Sequence, residues 1–363
     1  MQQKAFEVLK QFENKGYSAY IVGGYVRDYL LNRKTNDIDI CTNATPKEII
    51  DLFDIVTLSD MQYGAVNIVY KGQKFDVTTF RKEIKYEDNR KPIKIKYIND
   101  IKKDLLRRDF TINTLCMNSK GEVIDFLSVK SDLDKKIVKT VGNPRYKIKE
   151  DSLRILRAIR FATTLDFDID KVTKHYLTKY GKLLTNLSTS RKKEELNKIF
   201  LSKNKEMGRK LLIDLKLVKY LKLDNLDKII LCDDLIGIWC QLNVDDIYPF
   251  TKLEKEAMFR LRELLKYDNL DNYTIYKYGL YLCTVYAEIK GIDKKEINER
   301  YTKLPIYTKH DIVIKEIDIA NFLNRKPGSY IKQIIIDLEK NIVEDKLSND
   351  VDSIKEYICS TYN

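Results

Sequence analysis

The stretch Asn36-Asp37-Ile38-Asp39-Ile40 decides how this chain is interpreted, because it predicts a β-strand with two carboxylates two residues apart. Successive side chains of a strand point to opposite faces, so Asp37 and Asp39 share one face while Ile38 and Ile40 face a core. Two carboxylates held side by side repel each other, and a hard divalent cation such as Mg²⁺ removes that cost. The pattern therefore predicts a metal site on one face of a sheet, with Asp37 and Asp39 as the metal ligands.

A later run contains the candidate third carboxylate, Asp76, between Phe75 and Val77. Metal-bound carboxylates suit phosphoryl transfer, in which one metal lowers the pKa of an attacking hydroxyl and another stabilises charge on the leaving pyrophosphate. We therefore predict that Asp37, Asp39 and Asp76 are catalytic. The Asp-x-Asp pattern is also common in surface turns, so this pattern alone leaves a structural explanation open.

Two glycines, Gly23 and Gly24, follow the apolar run 19–22 and precede Tyr25-Val26-Arg27-Asp28. Glycine lets backbone N–H groups approach a phosphate closely, and the N-terminus of a following helix favours negative charge. Arg27, about one helical turn into that helix, can add a charge-assisted hydrogen bond. The combination, with Asp37 ten residues after Arg27, predicts a site for a nucleoside triphosphate.

The hydrophobic pattern divides the 363 residues into two parts, and this length suggests two or more domains. In the first part, alternating or β-branched runs predict strands at 19–22, 37–41, 65–70 and 75–80. From about Pro144 onward, apolar residues with helical spacing predict helices at 150–165, 171–184, 191–201 and 206–221. We therefore predict an α+β fold, in which a head with a small β-sheet and helices precedes an all-helical neck, body and tail.

The net charge of the chain indicates which kind of ligand it could attract. The chain has 66 Lys and Arg against 54 Asp and Glu, a net charge of +12, which attracts polyanions. The basic excess concentrates in two stretches, 81–108 and 191–222, as expected of a track that binds phosphates. Solvated lysine-rich helix faces would explain the same charge, so composition alone leaves both explanations open.

The remaining composition indicates an intracellular setting. Six widely spaced cysteines and two histidines form no legible zinc or disulfide pattern. Residues 1–16 predict an amphipathic helix rather than a signal peptide, and no run approaches the roughly 20 apolar residues of a membrane span. We expect a cytoplasmic protein with reduced thiols and no membrane partner.

Four ordered motifs make the chain similar to class II CCA-adding enzymes and bacterial poly(A) polymerases. The motifs are Gly23-Gly24-x-Val26-Arg27-Asp28, Asp37-x-Asp39, Arg107-Arg108-Asp109-Phe110-Thr111-Ile112-Asn113 and Glu150-Asp151-x-x-Arg154-x-x-Arg157. The similarity extends to 187–196 and, near the C-terminus, to 326–328 and 347–350. Together these motifs are specific for the superfamily and less specific for its exact product.

The resemblance implies roles at the matching positions. Asp37 and Asp39 would hold Mg²⁺, and Asp151 and Arg154 would read the base edge. The full set that would bind the nucleotide is Gly24, Arg27, Arg108, Asp109, Asp151, Arg154, Arg157 and Arg160. Within this set Arg108 would bind phosphate and Asp109 the ribose. A carboxylate can accept a hydrogen bond from the exocyclic amine that CTP and ATP share, whereas UTP and GTP present a carbonyl there.

Helical geometry limits how many of these residues one nucleotide can touch. On a continuous helix beginning at Glu150, residues three apart drift about 60° per step. Asp151 and Arg154 would then share a face, while Arg160 would lie nearly opposite Asp151 and brace its neighbours or meet phosphate. A purely structural helix with exposed arginines would fit the same spacing.

The resemblance also implies a domain organisation and a reaction. It implies a nucleotidyltransferase head at 1–140, a neck with the nucleotide-reading helix at 141–205, a body at 206–300 and a tRNA-binding tail at 301–363. The implied reaction is template-independent addition of CCA to the 3′ end of tRNA from CTP and ATP, with release of pyrophosphate. The acceptor arm would be held through its phosphates and its A-form shape by the basic stretch 191–222.

Other products stay open. The segment 82–92 resembles the flexible loop with which full CCA enzymes switch from CTP to ATP, and this disfavours a CC-adding enzyme. An A-adding enzyme or a poly(A) polymerase is compatible with the same motifs. A small-molecule nucleotidyltransferase would need neither the 150–160 helix nor the basic extension, and a silent RNA-binding module would not need the three aspartates.

Overall fold

The computed structural model describes residues 1–35, 37–53, 56–60, 64–87 and 91–362. It divides into two compact units, Met1–Asp227 and Lys228–Asn363, each of which is considered by itself. Strands occur in the first unit, and helices make up the second. The predicted α+β fold, with a small N-terminal sheet and a helical remainder, is confirmed.

A seven-stranded sheet forms the centre of the first unit. Its strands are β1 (Ala19–Val22), β2 (Asp39–Thr42), β3 (Val56–Asp60), β4 (Ala65–Tyr70), β5 (Gln73–Thr79), β8 (Cys116–Met117) and β9 (Val123–Ile124). Their order is β3-β4-β5-β2-β1-β8-β9. Strands β2 and β5 pair in parallel, whereas their other neighbours pair antiparallel. The parallel pairing joins two strands that are distant in sequence, and the site depends on it.

Two smaller sheets complete the β-structure described. An antiparallel hairpin is formed by β6 (Arg81–Glu87) and β7 (Lys91–Tyr97). A parallel pair is formed by β10 (Ile137–Val138) and β11 (Asp168–Ile169). The segment 82–92 that resembles a flexible loop falls mostly on the hairpin, and its residues Asp88, Asn89 and Arg90 lie outside the described residues.

Some helices of the first unit pack on its sheet, and others pack on one another. They are α1 (Gln2–Asn14), α2 (Gly24–Leu30), α3 (Pro46–Leu52), α4 (Ile101–Leu106), α5 (Lys130–Asp134), α6 (Pro144–Glu150), α7 (Leu153–Leu165), α8 (Lys171–Lys179), α9 (Thr189–Phe200), α10 (Lys205–Asp214) and α11 (Val218–Leu221). Short 3₁₀ helices span Thr111–Asn113 and Gly181–Asn186. Side chains cap the N-termini of several of these helices. Thr45 and Glu48 form a capping box on α3, and the Asp170 side chain accepts from the Thr173 N–H in the first turn of α8.

The second unit is helical. Its helices are α12 (Leu235–Leu242), α13 (Lys252–Leu264), α14 (Asn272–Lys290), α15 (Lys294–Thr302), α16 (Glu316–Phe322), α17 (Tyr330–Val343) and α18 (Val351–Tyr362), with a 3₁₀ turn at Lys309–Asp311. Trp239 and Tyr286 are among its largest buried side chains. Gly279 kinks α14 with φ 79° and ψ 162°, a conformation that favours glycine. Within the described chain, no helix combines the length and apolar character that a membrane span requires.

The strands predicted at 19–22 and 65–70 are confirmed, but the strand around the two aspartates begins later than predicted. It starts at Asp39 and not at Asp37, and Asn36 lies outside the described residues. The alternation survives this shift, because Ile38 and Ile40 are buried while Asp37 and Asp39 are exposed.

Two predicted helices are interrupted, and the extension is not purely helical. The helix predicted at 150–165 is broken because Asp151 adopts an extended conformation (φ −141°, ψ 103°), so α6 ends before it and α7 begins after it. The helix predicted at 206–221 is broken at Lys216, whose φ of 56° is left-handed. Strand β11 adds a short parallel pairing where only helix was expected.

Candidate active site

The register of the sheet brings Asp39 and Asp76 together. Asp39 is the Cα partner of Asp76 in the parallel pairing of β2 with β5. Neighbouring strands lie about 4.8 Å apart, so the two carboxylates project from adjacent positions of one surface. Asn67, the partner of Asp76 on β4, donates its side-chain amide to the Asp76 carboxylate. Asp37, two residues before Asp39, completes the predicted set.

The electrostatics of Asp39 indicate carboxylates that crowd one another. Desolvation by the surrounding protein raises the pKa of Asp39 to about 6, and the negative charges of Asp37 and Asp76 act in the same direction. The nearby Arg108 guanidinium offsets part of this rise. A group of carboxylates in this state favours a bound cation, because a cation stabilises the ionised forms.

The backbone turn after β1 approaches both Asp39 and Arg108. Gly23 has φ 83°, and a Cβ atom placed on it would lie 3.6 Å from Asp39 Oδ2 and 3.6 Å from Arg108 Nη1. A side chain at this position would therefore occupy the space between the carboxylate and the guanidinium, in a conformation that favours glycine. Gly24, the first residue of α2, lies against Arg27, since its Cβ would be 3.6 Å from Arg27 Nη2.

Arg27 is buried and held by a network of hydrogen bonds. Its Nη1 donates to Asn113 Oδ1 at 2.7 Å, and its Nε and Nη2 donate to the Asp28 carboxylate at 2.9 Å each. Asn113 in turn donates to Asp109 Oδ1 at 3.0 Å. The first and third sequence motifs therefore meet through side chains that fix the direction of the Arg27 guanidinium.

Arg108 is positioned by a buried carboxylate. Its Nη2 lies 3.6 Å from Asp104 Oδ2, and Arg107 Nε lies 2.8 Å from Asp104 Oδ1. The Nε of Arg108 is buried and has no hydrogen-bond partner among the described residues. The other end of the guanidinium, Nη1, lies beside the Gly23 turn and Asp39 and is suited to an anionic ligand such as a phosphate.

Asp109 is engaged by Arg157 in this structure. Arg157 donates from Nε and Nη2 to Asp109 Oδ2 at 2.8 and 2.6 Å, and the Phe110 N–H donates to Asp109 Oδ1 at 2.8 Å. Burial alone would raise the pKa of Asp109, but the Arg157 charge and these hydrogen bonds hold it well below its ordinary value. The carboxylate is therefore ionised and committed to a protein partner, which bears on its predicted contact with a ribose.

Asp151 and Arg154 do not share a helix face. Asp151 lies in the break before α7, where its Oδ1 accepts from the Leu153 N–H at 3.0 Å, and desolvation raises its pKa despite the offsetting charge of Arg154. Arg154 is buried, with Nη1 donating to the Lys147 carbonyl at 2.7 Å and Nη2 to the Arg107 carbonyl at 3.0 Å. The helical geometry expected for this pair is wrong, because Asp151 is outside the helix.

Sequence reasoning missed Phe161, which lies at the centre of the arginine cluster. The guanidinium carbons of Arg27, Arg157 and Arg160 lie 5.1, 5.4 and 4.1 Å from the centroid of its ring. The ring also contacts Phe110 edge-on, with centroids 5.7 Å apart. In the sequence Phe161 has the spacing of a core residue on α7, so its contact with three arginines gives no separate signal.

Glu195, on α9, was also missed. Its carboxylate lies 2.9 Å from Arg160 Nε and 3.8 Å from Arg157 Nη1, and the residue is buried. Desolvation lowers the pKa of Arg160, and Glu195 opposes that effect. The expectation that Arg160 braces its neighbours fits this geometry, whereas its contact with a nucleotide stays a prediction.

The cluster offers two kinds of chemistry on the same face of the first unit. Crowded carboxylates at Asp37, Asp39 and Asp76 suit a hard cation, and oriented guanidinium groups suit phosphates and a base edge. Among the described residues, no group of three or more His, Cys, Asp and Glu side chains already has a metal-binding arrangement.

Three family comparisons match most of the chain. Residues 19–139 match the Poly A polymerase head domain, residues 166–228 the "Probable RNA and SrmB- binding site of polymerase A", and residues 252–358 the tRNA nucleotidyltransferase domain 2. The matched head contains Gly24, Arg27 and the three aspartates. The second match contains the basic stretch 191–222.

Two relatives and a solved structure that this chain resembles over most of its length are CCA-adding enzymes, in agreement with the family matches. The chain is 32% identical to a CCA-adding enzyme of Streptococcus agalactiae, covering 98% of this chain and 96% of the relative. It is 29% identical to a CCA-adding enzyme of Bacillus cereus, covering 98% of each. The structure of the Bacillus stearothermophilus CCA-adding enzyme in complex with CTP has a similar fold, with a TM-score of 0.88, 24% identity and coverage of 99% of this chain and 96% of that one.

Proposed function

Because the chain belongs to the family of CCA-adding enzymes, we propose that it adds CCA to the 3′ end of tRNA from CTP and ATP without a nucleic-acid template. The observation that carries this proposal is the parallel register of Asp39 with Asp76, beside the Gly23 turn and Arg108. This arrangement suits nucleotidyl transfer, in which the terminal hydroxyl of the RNA attacks the α-phosphate and pyrophosphate leaves.

Asp37 and Asp39 would hold a divalent cation, which we propose to be Mg²⁺. The fit rests on the neighbouring positions of Asp39 and Asp76 and on the oxygen ligands that Mg²⁺ prefers. The pKa of Asp39, raised by desolvation and by the charges of Asp37 and Asp76, agrees with a site that a cation would stabilise. When bound, the ion would supply charge stabilisation for the reacting phosphate and the attacking oxygen. Asp76, at the neighbouring strand position, would orient the hydroxyl or join the metal set.

The arginines would bind and orient the triphosphate. Arg108, whose Nη1 lies beside the Gly23 turn, and Arg27, fixed by Asn113 and Asp28, are the groups best suited to phosphate oxygens. Gly24 would keep the backbone open for this approach. Arg157 and Arg160 would complete the pocket while Glu195 and Phe161 hold their guanidinium groups in place.

Base recognition would fall to Asp151 and Arg154. An ionised Asp151 can accept from the exocyclic amine of cytosine or adenine, and Oδ2 is the oxygen left for this contact while Oδ1 accepts from the Leu153 N–H. Arg154 would read the base only with the donors left after it binds the Lys147 and Arg107 carbonyls. Asp109 would reach the ribose if Arg157 shares it with the nucleotide.

The remaining predictions stay part of the proposal. The head would span 1–140, the neck 141–205, the body 206–300 and the tail 301–363, with the helical parts holding the acceptor end of tRNA. One structural relative, from Thermotoga maritima, is described as complexed with tRNA, with a TM-score of 0.69 and 21% identity. The free state of all six cysteines fits action in the cytoplasm, where tRNA is processed.

Incorporation on a tRNA transcript that ends at the discriminator base tests the proposal. With Mg²⁺, we expect two nucleotides from CTP alone and a third only after ATP is added. Extension restricted to a transcript ending in CC, by one A, would assign an A-adding enzyme, and long ATP-dependent tails would assign a poly(A) polymerase. Absence of incorporation on every RNA would favour a small-molecule nucleotidyltransferase.

A further inference from the structure

Lys192, on α9, is a buried cation for which the described residues supply no ion-pair partner. The residue is 7% exposed, yet its side chain has no hydrogen bond or ion pair with the part of the chain that the structure describes. Its ammonium is not among the fully enclosed nitrogen atoms that lack a partner, so the tip reaches solvent while the stem is packed. Burial of a charged group without a partner is unfavourable, and lysines are seldom buried unless they are paired.

The charge environment of Lys192 makes this arrangement more unfavourable. Desolvation lowers the pKa of Lys192, and the positive charge of Lys222 lowers it further. Other basic side chains near this helix are compensated: Lys198 lies 2.8 Å from Glu194, and Arg160 lies 2.9 Å from Glu195. Lys192 therefore differs from its neighbours in meeting a second cation where they meet a carboxylate.

Lys192 lies near the start of α9, and Lys222 is close enough to affect its pKa. Ser188, the N-cap of α9, makes no side-chain capping bond, so the first-turn N–H groups depend on a partner from outside the helix. Lys192 lies four residues after Ser188 on the same helix face, and long helical side chains lean back toward the N-terminus. Lys222 follows α11 in a left-handed conformation with φ 55°.

Packing holds α11 beside the segment that leads into α9. The side chains of Leu217 and Tyr220 pack closely against the backbone of Gly181, where a Cβ atom would lie 3.2 Å from Tyr220 Cε2. The 3₁₀ helix Gly181–Asn186 then continues directly to Ser188. The two lysines are therefore brought together by packed elements and not by chance contact of flexible side chains.

We propose that Lys192, Lys222 and the first turn of α9 form a site for one backbone phosphate of the bound tRNA. The inference rests on the proposed function, because it takes tRNA as the polyanion. A phosphodiester carries one negative charge and accepts hydrogen bonds, so it would supply both the counter-charge for the lysines and acceptors for the first-turn N–H groups. The surrounding stretch 191–222 is the more basic of the two in the sequence, as a path for RNA requires.

The variant Lys192→Met tests this site, because it removes the charge and keeps the length and volume of the stem. We expect its affinity for a tRNA transcript to fall about three- to tenfold at moderate salt, and the slope of log K against log salt to decrease by about one. Its melting temperature should equal or exceed that of the wild type, because an unpaired buried charge is lost. Lys222→Met should weaken tRNA binding in the same way.

Lys203→Met is the matched control. Lys203 is exposed just beyond the other end of α9, about 18 Å from its first turn, and its loss removes the same charge from the same basic stretch. A fall in affinity equal to that of Lys192→Met would overturn the inference, since general charge would then explain both. So would a destabilised Lys192→Met that binds tRNA as tightly as the wild type.

Two further outcomes separate this inference from the proposed function. If the wild type incorporates CTP and binds tRNA while Lys192→Met has an unchanged salt slope, the phosphate site is wrong and the function stands. If the wild type neither binds tRNA nor extends it, both are wrong. Stabilisation of the wild type by inorganic phosphate that is lost in Lys192→Met, with unchanged tRNA affinity, would assign the site to a free anion and overturn its assignment to RNA.

Discussion

The carboxylates on strands β2 and β5 and the arginines around helix α7 are held in opposite ways. Backbone register places Asp39 beside Asp76, and the charge of Arg108 offsets their effect on the pKa of Asp39 only in part. The arginines are instead held by side chains of opposite charge, such as Asp109 for Arg157 and Glu195 for Arg160. The sheet can therefore hold reactive carboxylates that are only partly compensated, whereas each arginine of the helix has a carboxylate partner before a ligand arrives.

The largest effect should come from Asp39→Asn on the strand side. Loss of a cation ligand should reduce nucleotide incorporation by about a thousandfold or more, since such an ion contributes several kcal/mol to transition-state stabilisation. The melting temperature should stay the same or rise, because the repulsion among the carboxylates is relieved. Single-turnover incorporation and thermal unfolding would measure the two effects.

Asp37→Ala provides the parallel test. We expect it to abolish incorporation while tRNA binding stays nearly intact, because Asp37 is exposed and lies outside the regular strand. Loss of tRNA binding, or a marked loss of stability in either variant, would show that these carboxylates are structural and would remove the contrast with the helix side.

On the helix side, Asp109→Asn should affect stability as well as activity. It leaves Arg157 without its main partner, and breaking a largely buried pair costs about 3 kcal/mol. Because the folded-state pKa of Asp109 is lowered, the wild-type advantage is full above the unfolded value of about 3.9 and decreases as the pH falls below it. Urea unfolding at several pH values measures this.

The control for that variant is Asp168→Asn, at an exposed position on β11. A surface change of this kind should alter the free energy of unfolding by no more than about 0.5 kcal/mol. An equally small effect for Asp109→Asn would mean that the arginines are held by the backbone, like the carboxylates.

The arrangement of the carboxylates on the strands could be predicted from the sequence better than the arrangement of the arginines around α7, for physical reasons. The two-residue period of an extended chain places Asp37 and Asp39 on one face wherever the strand begins. The late start of β2 therefore leaves the predicted face of the two aspartates unchanged. The pairing of β2 with β5 joins residues that are distant in sequence, so the local hydrophobic pattern could not predict it. The break at Asp151 was missed because apolar residues keep helical spacing through it, while the extended backbone of Asp151 ends α6 and its side chain accepts from the Leu153 N–H at the start of α7.

The residues that orient the arginines were missed for a related reason. Phe161 and Glu195 contribute through three-dimensional contacts, and in sequence they resemble a core aromatic and a solvent-facing acid. Phe161 shares α7 with Arg157 and Arg160, but its third partner, Arg27, comes from α2. Glu195 lies on α9 and reaches the α7 arginines only through tertiary packing.

The variant Phe161→Leu tests how far the aromatic ring holds the arginines around α7. It keeps an apolar side chain but removes the ring faced by three guanidinium groups, contacts worth about 0.5–1 kcal/mol each. We expect kcat/KM for CTP to fall about tenfold, mostly through a higher KM, and Phe161→Tyr to restore it. A loss confined to thermal stability, with unchanged KM, would reduce Phe161 to a packing residue.

The smallest effect should come from Asn67→Ala on the strand side. Asn67 donates its amide to Asp76, so it is the counterpart, among the described strand residues, of the pairs that hold the arginines. If register alone positions Asp76, loss of this amide should lower kcat only a few-fold and cost about 1 kcal/mol or less of stability. Steady-state kinetics with CTP and thermal unfolding would measure both. A loss close to that of Asp39→Asn would mean that the strand carboxylates also depend on side-chain partners, and the two sides of the site would then be held by the same means.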